Sequence, residues 1–352
     1  MKKLRVGVIG CGWIAQNVHI PNYIRNPKSE IVALCDINDE VLMNARKEYG
    51  IENTFTDYHE LFEKGIVDAV SICTNVSTHC EIATCAANHS VHVLCEKPLA
   101  YSMEEADKMI EAALHNKVKL TVGFNLRFLP NHRKMKEYLL SGKIGKPIFI
   151  KGEVVAAGPY KSEIPKGNIL RETEKRKGAL FDLGAHMADL FLWMLGKPKE
   201  VYALSSTYKK GVNVDDLASV LMNFESGVVG SMNILWANLS SIQAMENNKK
   251  IEIIGERGKI ESDFFGPSLY LYSEGSLASK IKGKSKITPG KFNPKIPNEA
   301  LEWSYRQEIE SFLNSIVEDK KPQVTGEEAR EALKLVLAAY ESNETKRVIK
   351  LE

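Results

Sequence analysis

Short apolar and β-branched runs alternate with helical patterns through the first 124 residues. The runs are LRVGVIG, EIVALCD, VDAVSIC, VHVLCE and KLTVGF, and helical patterns occupy 13–25, 39–48, 77–88 and 102–115. Continuous apolar strands separated by helices are typical of a parallel sheet covered on both faces and wound right-handed. The pattern predicts an α/β domain over 1–124 with the doubly wound, Rossmann-type parallel sheet that binds dinucleotides.

A different pattern follows GFNLRFLP and a helical segment that ends near Ser141. The runs IFIKGEVVA, EVYALSSTY, ASVLMNF, VVGSMNILWA and KIEIIG alternate apolar and polar positions and are separated by turn residues. Such alternation favours an antiparallel sheet with one covered face. We therefore predict an α+β domain over 125–352, with a large, mostly antiparallel open sheet and final helices near 303–317 and 326–341.

Composition narrows the classes of function. The 352 residues carry a formal net charge of +2, with 44% hydrophobic and 26% charged residues, which favours neither disorder nor a nucleic-acid polycation. The N-terminal MKKLRVGVIGCG imitates a signal peptide, but its apolar part is too short, and no run approaches the roughly 18 apolar residues of a membrane span. We expect a cytoplasmic protein without a nucleic-acid or membrane partner.

All six cysteines fall within the first 95 residues, without a CxxC pair or the spacing of a zinc site. We expect small buried side chains in a reducing compartment.

A glycine motif follows the first predicted strand. Gly10, Gly12 and Ala15 form GxGxxA, in which Gly10 permits a tight turn, Gly12 lets the backbone approach a pyrophosphate and Ala15 allows close helix packing. The free N–H groups of the helix that follows attract phosphates. The motif predicts a dinucleotide site.

An acidic residue at the end of the second strand indicates which dinucleotide binds. Asp36 lies 24 residues after Gly12, where a carboxylate accepts hydrogen bonds from the adenosine ribose and repels a 2′-phosphate. We therefore predict NAD in preference to NADP. The alternative is that Asp36 only begins a turn.

Polar residues also follow two later strands, at the sheet edge where ligands of open α/β folds bind. Thr74 and Asn75 come after VDAVSIC, and Glu96 and Lys97 come at the end of VHVLCE. We expect Glu96 and Lys97 to project into the cleft beside the nicotinamide. A simple ion pair between them is the alternative, although neighbours on a strand point to opposite sides.

These motifs together resemble the glucose–fructose oxidoreductase and inositol dehydrogenase family, Gfo/Idh/MocA. The resemblance rests on GxGxxA at 10–15, Asp36, TNVSTH at 74–79, EKP at 96–98, GFNLRF at 123–128 and GALFDLGAHMAD at 178–189. It implies that the hydroxyl being oxidised lies near Lys97, Asp182 and His186. Asp182 and His186 stand at i and i+4, which puts both on one helical face.

The resemblance implies roles for these and further residues. His186 would be the general acid/base, Lys97 a base or proton relay, and Asp182 would orient His186 or hold the sugar ring. Cofactor contacts are implied for Trp13, Ile14, Ile37, Thr74, Asn75, His79, Glu96, Lys97 and Asn125, and substrate contacts for Lys97, Arg127, Tyr160, Asp182 and His186.

Two alternatives concern the same residues. Asp182, His186 and Asp189 together could bind a metal, but hydride transfer to NAD needs none, and we expect no metal. His186 could also be a hydrogen-bonded core histidine.

The leading function is an NAD-dependent dehydrogenase that oxidises a secondary hydroxyl of a sugar, cyclic polyol or sugar nucleotide. A redox-assisted glycoside hydrolase and a silent sugar sensor are the alternatives, and retention of Lys97, Asp182 and His186 argues against the sensor. Two lysine-rich segments, 160–178 and 279–295, suggest an anionic substrate, with a solvated loop as the alternative. The resemblance also implies a homodimer or homotetramer.

Overall fold

The computed structural model describes residues 2–160, 177–237, 249–266, 268–273, 290–292 and 300–351, without the side chains of 160 and 290–292. The chain forms two compact units. The first contains 1–125 and 302–333, and the second contains 126–301 and 334–352. The predicted division at residue 124 had assigned 302–333 to the second domain.

A six-stranded parallel sheet forms the centre of the first unit. Its strands are β1 (Leu4–Ile9), β2 (Ser29–Cys35), β3 (Thr54–Phe55), β4 (Ala69–Ile72), β5 (His92–Cys95) and β6 (Leu120–Val122). They lie in the order β3-β2-β1-β4-β5-β6, and every neighbouring pair is parallel. This is the strand order of dinucleotide-binding sheets and confirms the predicted Rossmann-type fold.

The α-helices of the described residues are α1 (Ile20–Arg25), α2 (Asp39–Tyr49), α3 (Tyr58–Glu63), α4 (His79–Asn88), α5 (Met103–His115), α6 (Pro130–Leu140), α7 (Ala185–Leu195), α8 (Ala300–Val317) and α9 (Gly326–Thr345). A π-helical turn, Ala15–His19, leads into α1. Polar caps start several helices: Asn38 accepts the N–H of Val41 at α2, and Ser102 accepts that of Glu105 at α5. The sequence analysis missed β3 and α3, which are too short to show a period.

The segment 302–333 belongs to the first unit because its helices supply apolar surface and polar contacts there. Ile309, Phe312 and Leu313 of α8 join the buried cluster around Val6 and Leu94. The Thr121 hydroxyl donates to the Val324 carbonyl at 2.6 Å. The residues of this last contact are 203 apart, and those of the cluster around Val6 are farther apart, so neither contact gives a short-range sequence signal.

A nine-stranded sheet forms the second unit. Its strands are β7 (Pro147–Ala156), β8 (Pro198–Ser206), β9 (Leu217–Phe224), β10 (Val229–Trp236), β11 (Lys249–Gly255), β12 (Gly258–Asp263), β13 (Leu269–Ser273), β14 (Gly290–Phe292) and β15 (Ile349–Lys350). Their order is β14-β13-β12-β11-β7-β10-β9-β8-β15, and all neighbours are antiparallel except β7 and β10. The predicted mostly antiparallel sheet is confirmed.

One face of this sheet is covered by α7, and the close approach depends on glycine. A Cβ at Gly152 on β7 would lie 2.4 Å from the sulfur of Met187 on α7. The opposite face of β9 exposes Leu217 and Leu221, which alternate with the buried Ala218, Val220 and Met222.

Among the described helices, none combines the length and apolar character that crossing a membrane requires.

Candidate active site

The turn after β1 has the backbone geometry that a pyrophosphate needs. Gly10 has φ +86°, and a Cβ there would lie 2.8 Å from the carbonyl carbon and oxygen of Cys73. At Gly12, by contrast, no heavy atom lies within 4 Å of the position a Cβ would take. This open backbone precedes the start of a helical turn, where the first N–H groups of a helix can face a ligand, so the loop fits the diphosphate of a dinucleotide.

Asp36, directly after β2, fixes the shape of this loop. Its Oδ2 accepts the backbone N–H of Cys11 at 2.7 Å, and its Oδ1 accepts that of Asn38 at 2.8 Å. Each carboxylate oxygen retains a second lone pair, which a ribose hydroxyl can use. Asp36 therefore supports its own turn, as the alternative interpretation held, and remains available to a nucleotide.

Apolar side chains flank the glycine loop. Trp13 is 72% exposed and Ile37 is 93% exposed, whereas Ile14 packs partly against the core. Large apolar side chains at such exposures offer surface to a planar ligand. Their predicted contacts with the cofactor stay predictions.

The thiols near the loop are inert. Cys11 and Cys35 are buried, and burial is the main cause that raises both pKa values to about 12. All cysteines are free, and all but the partly buried Cys85 lie in the interior. They are the small buried side chains that the sequence predicted.

Thr74 and Asn75 form a short polar loop after β4. The Thr78 hydroxyl donates to Thr74 Oγ1 at 2.8 Å, and Asn75 Oδ1 accepts the Ser77 N–H at 3.0 Å. Asn75 Oδ1 also accepts the Tyr101 hydroxyl at 3.1 Å. The loop is held by its own side chains, at the edge of the sheet where Gly10 lies.

His79 joins two loops. It is buried, with Nδ1 3.0 Å from the Pro98 carbonyl and Nε2 3.3 Å from the Thr74 carbonyl. Burial lowers the pKa of His79, so the neutral ring predominates at neutral pH. A neutral ring donates from one nitrogen only, so His79 lies between the loops after β4 and β5 and hydrogen-bonds to one of the two carbonyls at a time. Its predicted contact with the cofactor stays a prediction.

Glu96 differs from the expectation that it would project into a cleft. Its side chain is buried, and Oε1 lies 2.9 Å from Nε2 of His19, a residue that carried no sequence signal. Oε2 accepts the backbone N–H of Lys97 at 3.1 Å. The carboxylate turns inward because His19 offers a buried partner.

Lys97 follows β5 and is partly buried, and the Lys97–Pro98 peptide is cis. Gly123, after β6, makes room for the neighbouring Glu96 carboxylate, because a Cβ at Gly123 would lie 3.2 Å from the Glu96 carboxyl. Asn125 is buried and donates to Ser304 Oγ at 2.9 Å. Its predicted contact with the cofactor stays a prediction.

Asp182 and His186 lie on consecutive turns in the second unit. Asp182 belongs to a π-helical turn, Leu180–Gly184, and His186 to the first turn of α7. Both side chains are more than nine-tenths buried. The helix therefore begins one turn earlier than α7 itself, and it carries both predicted catalytic residues.

The carboxylate of Asp215 caps this helical segment. Sequence reasoning did not identify Asp215. Its Oδ2 accepts the Leu180 N–H at 2.9 Å, its backbone carbonyl accepts the Ala179 N–H at 2.9 Å, and Oδ1 accepts the Tyr340 hydroxyl at 2.6 Å. Burial raises the pKa of Asp215, although the hydrogen bonds oppose the shift. Gly178 has φ +106°, and a Cβ there would lie 2.0 Å from Asp215 Oδ1.

Arg127 and Asp189 form a buried ion pair in the second unit. The guanidinium donates from Nε at 2.8 Å and from Nη2 at 2.7 Å, a two-point geometry. Asp189 was the third member of the alternative metal triad, and Arg127 binds it instead. A substrate contact for Arg127 stays a prediction, with two of its nitrogens already engaged.

The remaining features from the sequence analysis are the alternative metal site and the two lysine-rich segments. No group of three or more His, Cys, Asp or Glu side chains suited to a metal ion occurs in the part of the chain that the structure describes. Tyr160 ends a 3₁₀ turn, Gly158–Tyr160, but its side chain and almost all of 160–178 and 279–295 lie outside the described residues.

Two family models match the chain. Residues 4–124 match the oxidoreductase family with an NAD-binding Rossmann fold, and residues 132–261 match the GFO/IDH/MocA C-terminal domain. The levoglucosan dehydrogenase structure in complex with NADH superposes with a TM-score of 0.87 at 23% identity, covering 100% of both chains. This likeness shows the fold.

Two relatives match nearly end to end. The chain is 30% identical to the myo-inositol 2-dehydrogenase of Thermotoga maritima, over 99% of both proteins. It is 25% identical to the D-apiose dehydrogenase of Paraburkholderia graminis, over 100% of this chain and 91% of that protein. With both domain models matched in order, the chain belongs to the GFO/IDH/MocA family of NAD-binding oxidoreductases.

Proposed function

We propose that this enzyme is an NAD-dependent dehydrogenase that oxidises a secondary hydroxyl of a sugar or cyclic polyol, with NAD preferred over NADP. The observation that carries the proposal is the open glycine loop held by Asp36. Gly12 leaves its backbone accessible, and the carboxylate beside it suits two ribose hydroxyls but repels a 2′-phosphate. The substrate class comes from relatives named for inositol and apiose.

The chain's own residues supply the proton chemistry. When bound, the nicotinamide accepts or returns the hydride. The carbon that loses a hydride also requires its hydroxyl to lose a proton. We assign the removal of this proton to His186 as general acid/base, with Lys97 as a base or relay. Asp182 orients His186 or holds a ring hydroxyl.

The structure of each unit supports these roles. Lys97 follows β5 at the edge of the sheet where ligands of this fold bind, and it is only partly buried. Asp182 and His186 are rigidly presented, because Asp215 caps their helical segment and Arg127 anchors Asp189 on α7. Rigid elements place acid–base groups more precisely than mobile loops do.

We also propose a homodimer or homotetramer in the cytoplasm. The open face of the nine-stranded sheet supports assembly, because Leu204, Leu217 and Leu221 are each more than one-third exposed there. The unpaired buried thiols support a reducing compartment. Sedimentation that shows only monomer at micromolar concentration would remove the oligomer from the proposal.

The direct test is a substrate panel. The protein is mixed with NAD or NADP and with myo-inositol, D-apiose, levoglucosan or a uridine diphosphate sugar, and the absorbance of reduced cofactor is followed. We expect NAD reduction with at least one neutral or anionic carbohydrate and a higher affinity for NAD. Absence of reduction across the panel, with tight NAD binding, would instead favour the hydrolase, which is then tested by release of an aglycone from glycosides.

A further inference from the structure

A buried chain of hydrogen bonds runs to the carboxylate behind Lys97. The Tyr23 hydroxyl lies 2.7 Å from Ser71 Oγ, which lies 3.1 Å from Nδ1 of His19. Nε2 of His19 lies 2.9 Å from Glu96 Oε1. Tyr23, Ser71 and His19 have no exposed surface, so water does not compete for these contacts.

A count of the available protons shows in which direction the hydrogen bonds of this network are donated. With neutral His19 protonated on Nε2, Tyr23 donates to Ser71, Ser71 donates to Nδ1, and Nε2–H donates to Glu96. With a second proton on Nδ1, one hydroxyl hydrogen would lose its acceptor among the contacts of the described residues. The geometry therefore favours the Nε2–H tautomer and directs every donor toward Glu96.

Glu96 remains ionised in this setting. Burial opposes ionisation, but the hydrogen bond from His19, the charge of Lys97 and the Lys97 N–H together lower the pKa of Glu96 below its usual value. Its second oxygen holds the Lys97 backbone, and Gly123 leaves the space it occupies. The carboxylate thus fixes both the position of Lys97 and the charge opposite it.

The other titratable groups near Glu96 do not change charge around neutral pH. Burial lowers the pKa of His79 and raises the pKa values of the Cys73 and Cys95 thiols. All three are therefore neutral. Among the charged groups, Lys97 acts on Glu96, and the buried carboxylate of Glu308 on α8 acts on Tyr23 and Cys73.

We propose that His19, supported by Ser71 and Tyr23, is a positioning residue for hydride transfer: it holds Glu96 as an oriented carboxylate that places Lys97 and balances its charge. The inference rests on the proposed function, because it takes Lys97 as the group that handles the hydroxyl proton. A purely structural pair would stabilise the fold without affecting the pH dependence of the reaction.

The first test compares three variants in single-turnover reduction of NAD. His19→Leu removes the donor to Glu96, His19→Gln keeps an N–H near the Nε2 position, and Ser71→Ala removes only the donor to Nδ1. We expect His19→Leu to slow hydride transfer on the order of 10- to 100-fold, the loss typical of a misplaced group, with the Kd for NAD unchanged. His19→Gln should recover most of the rate.

The pH profile separates positioning from stability. His19→Leu removes the donor to the Glu96 carboxylate, and Ser71→Ala removes the donor to His19, so the pH limb of the rate should move away from that of the parent in both variants. His132→Gln is the matched control, because His132 is equally buried and hydrogen-bonded but belongs to the second unit. It should keep the parental profile.

Outcomes for the two proposals are distinguishable. ¹⁵N NMR of the His19 ring should show the Nε2–H tautomer at neutral pH, whether or not a substrate has been found. A parent that reduces no cofactor overturns the proposed function and with it the role of Lys97. If the parent is active and the folded His19→Leu and Ser71→Ala variants keep its rate and its pH limb, the proposed role of His19 is wrong. If His19→Leu does not fold, Ser71→Ala and the NMR measurement decide.

Discussion

The carboxylate of Asp36 accepts the backbone N–H of Cys11 at 2.7 Å, across the glycine loop from the end of β2. One side chain therefore shapes the glycine loop and places a negative charge beside it, where we propose that the adenosine ribose binds. These two effects can be separated, because asparagine keeps an acceptor oxygen and loses the charge.

Replacing Asp36 should alter cofactor choice. In Asp36→Asn, we expect the preference for NAD over NADP to narrow about tenfold, since a 2′-phosphate no longer meets a negative charge. Titration of both cofactors by fluorescence measures the ratio. Asp36→Ala should narrow it similarly and weaken both affinities, because the Cys11 N–H loses its acceptor. An unchanged ratio in both variants would show that Asp36 only shapes the turn.

Lys97→Met should bind NAD normally but lose hydride transfer. The glycine loop and Asp36 are untouched, whereas a general acid–base group is worth on the order of 10²–10⁴ in rate. Single-turnover absorbance measures the chemical step, and a steady-state kcat should fall in parallel.

The control for Lys97 is a charged substitution. Lys97→Arg should recover little activity, because a guanidinium keeps its proton. If Lys97→Met retained the parental single-turnover rate, the amine would only position substrate.

Gly178→Ala should destabilise the second unit. The alanine would have to adopt φ +106°, and its Cβ would lie 2.0 Å from Asp215 Oδ1. This contact disturbs the cap of the Asp182–His186 segment. We expect a loss of about 2 kcal/mol or more in the free energy of unfolding, from backbone strain and a lost cap. Urea denaturation measures the loss, and hydride transfer should fall in the same variant.

Gly211→Ala is the matched comparison. Gly211 has φ +79°, but nothing lies within 4 Å of the position of its Cβ. In Gly211→Ala the free energy of unfolding should fall by only about 1 kcal/mol, the cost of a left-handed backbone at alanine. Hydride transfer should be unaffected. Equal losses in the two variants would mean that the contact with Asp215 is not important.

His132 should make stability depend on pH. It is buried against the carbonyls of Leu126 and Asp263, and burial lowers its pKa from 6.5 to about 4. Between these values the unfolded chain binds a proton that the folded chain does not, so the free energy of unfolding falls as pH falls. The full contribution of the lowered His132 pKa to the free energy of unfolding is about 3 kcal/mol.

The difference between parent and His132→Gln isolates this contribution. Urea denaturation at several pH values from about 7 to about 4 should show a shallower decline in the variant, since glutamine does not titrate there. Parallel declines would indicate that His132 does not govern the acid limb.

Local sequence patterns determined much of the fold. Apolar runs and glycines report the backbone conformation of a few consecutive residues, so the parallel sheet and the tight turn at Gly10 were predictable. The sequence also predicted a helix that carries Asp182 and His186, and both residues are helical, Asp182 in a π-helical turn and His186 in α7. The two-residue β3 and the short α3 gave no period and were missed.

Only the tertiary structure decided which partners the buried charges have. Glu96 and His19 are 77 residues apart, Arg127 and Asp189 are 62 apart, and Asp215 reaches Leu180 across 35. A charge in the interior must find a partner, but the sequence does not state which strand ends and helix starts will meet. Folding brings those ends together, and the inward turn of Glu96 toward His19 follows from that meeting.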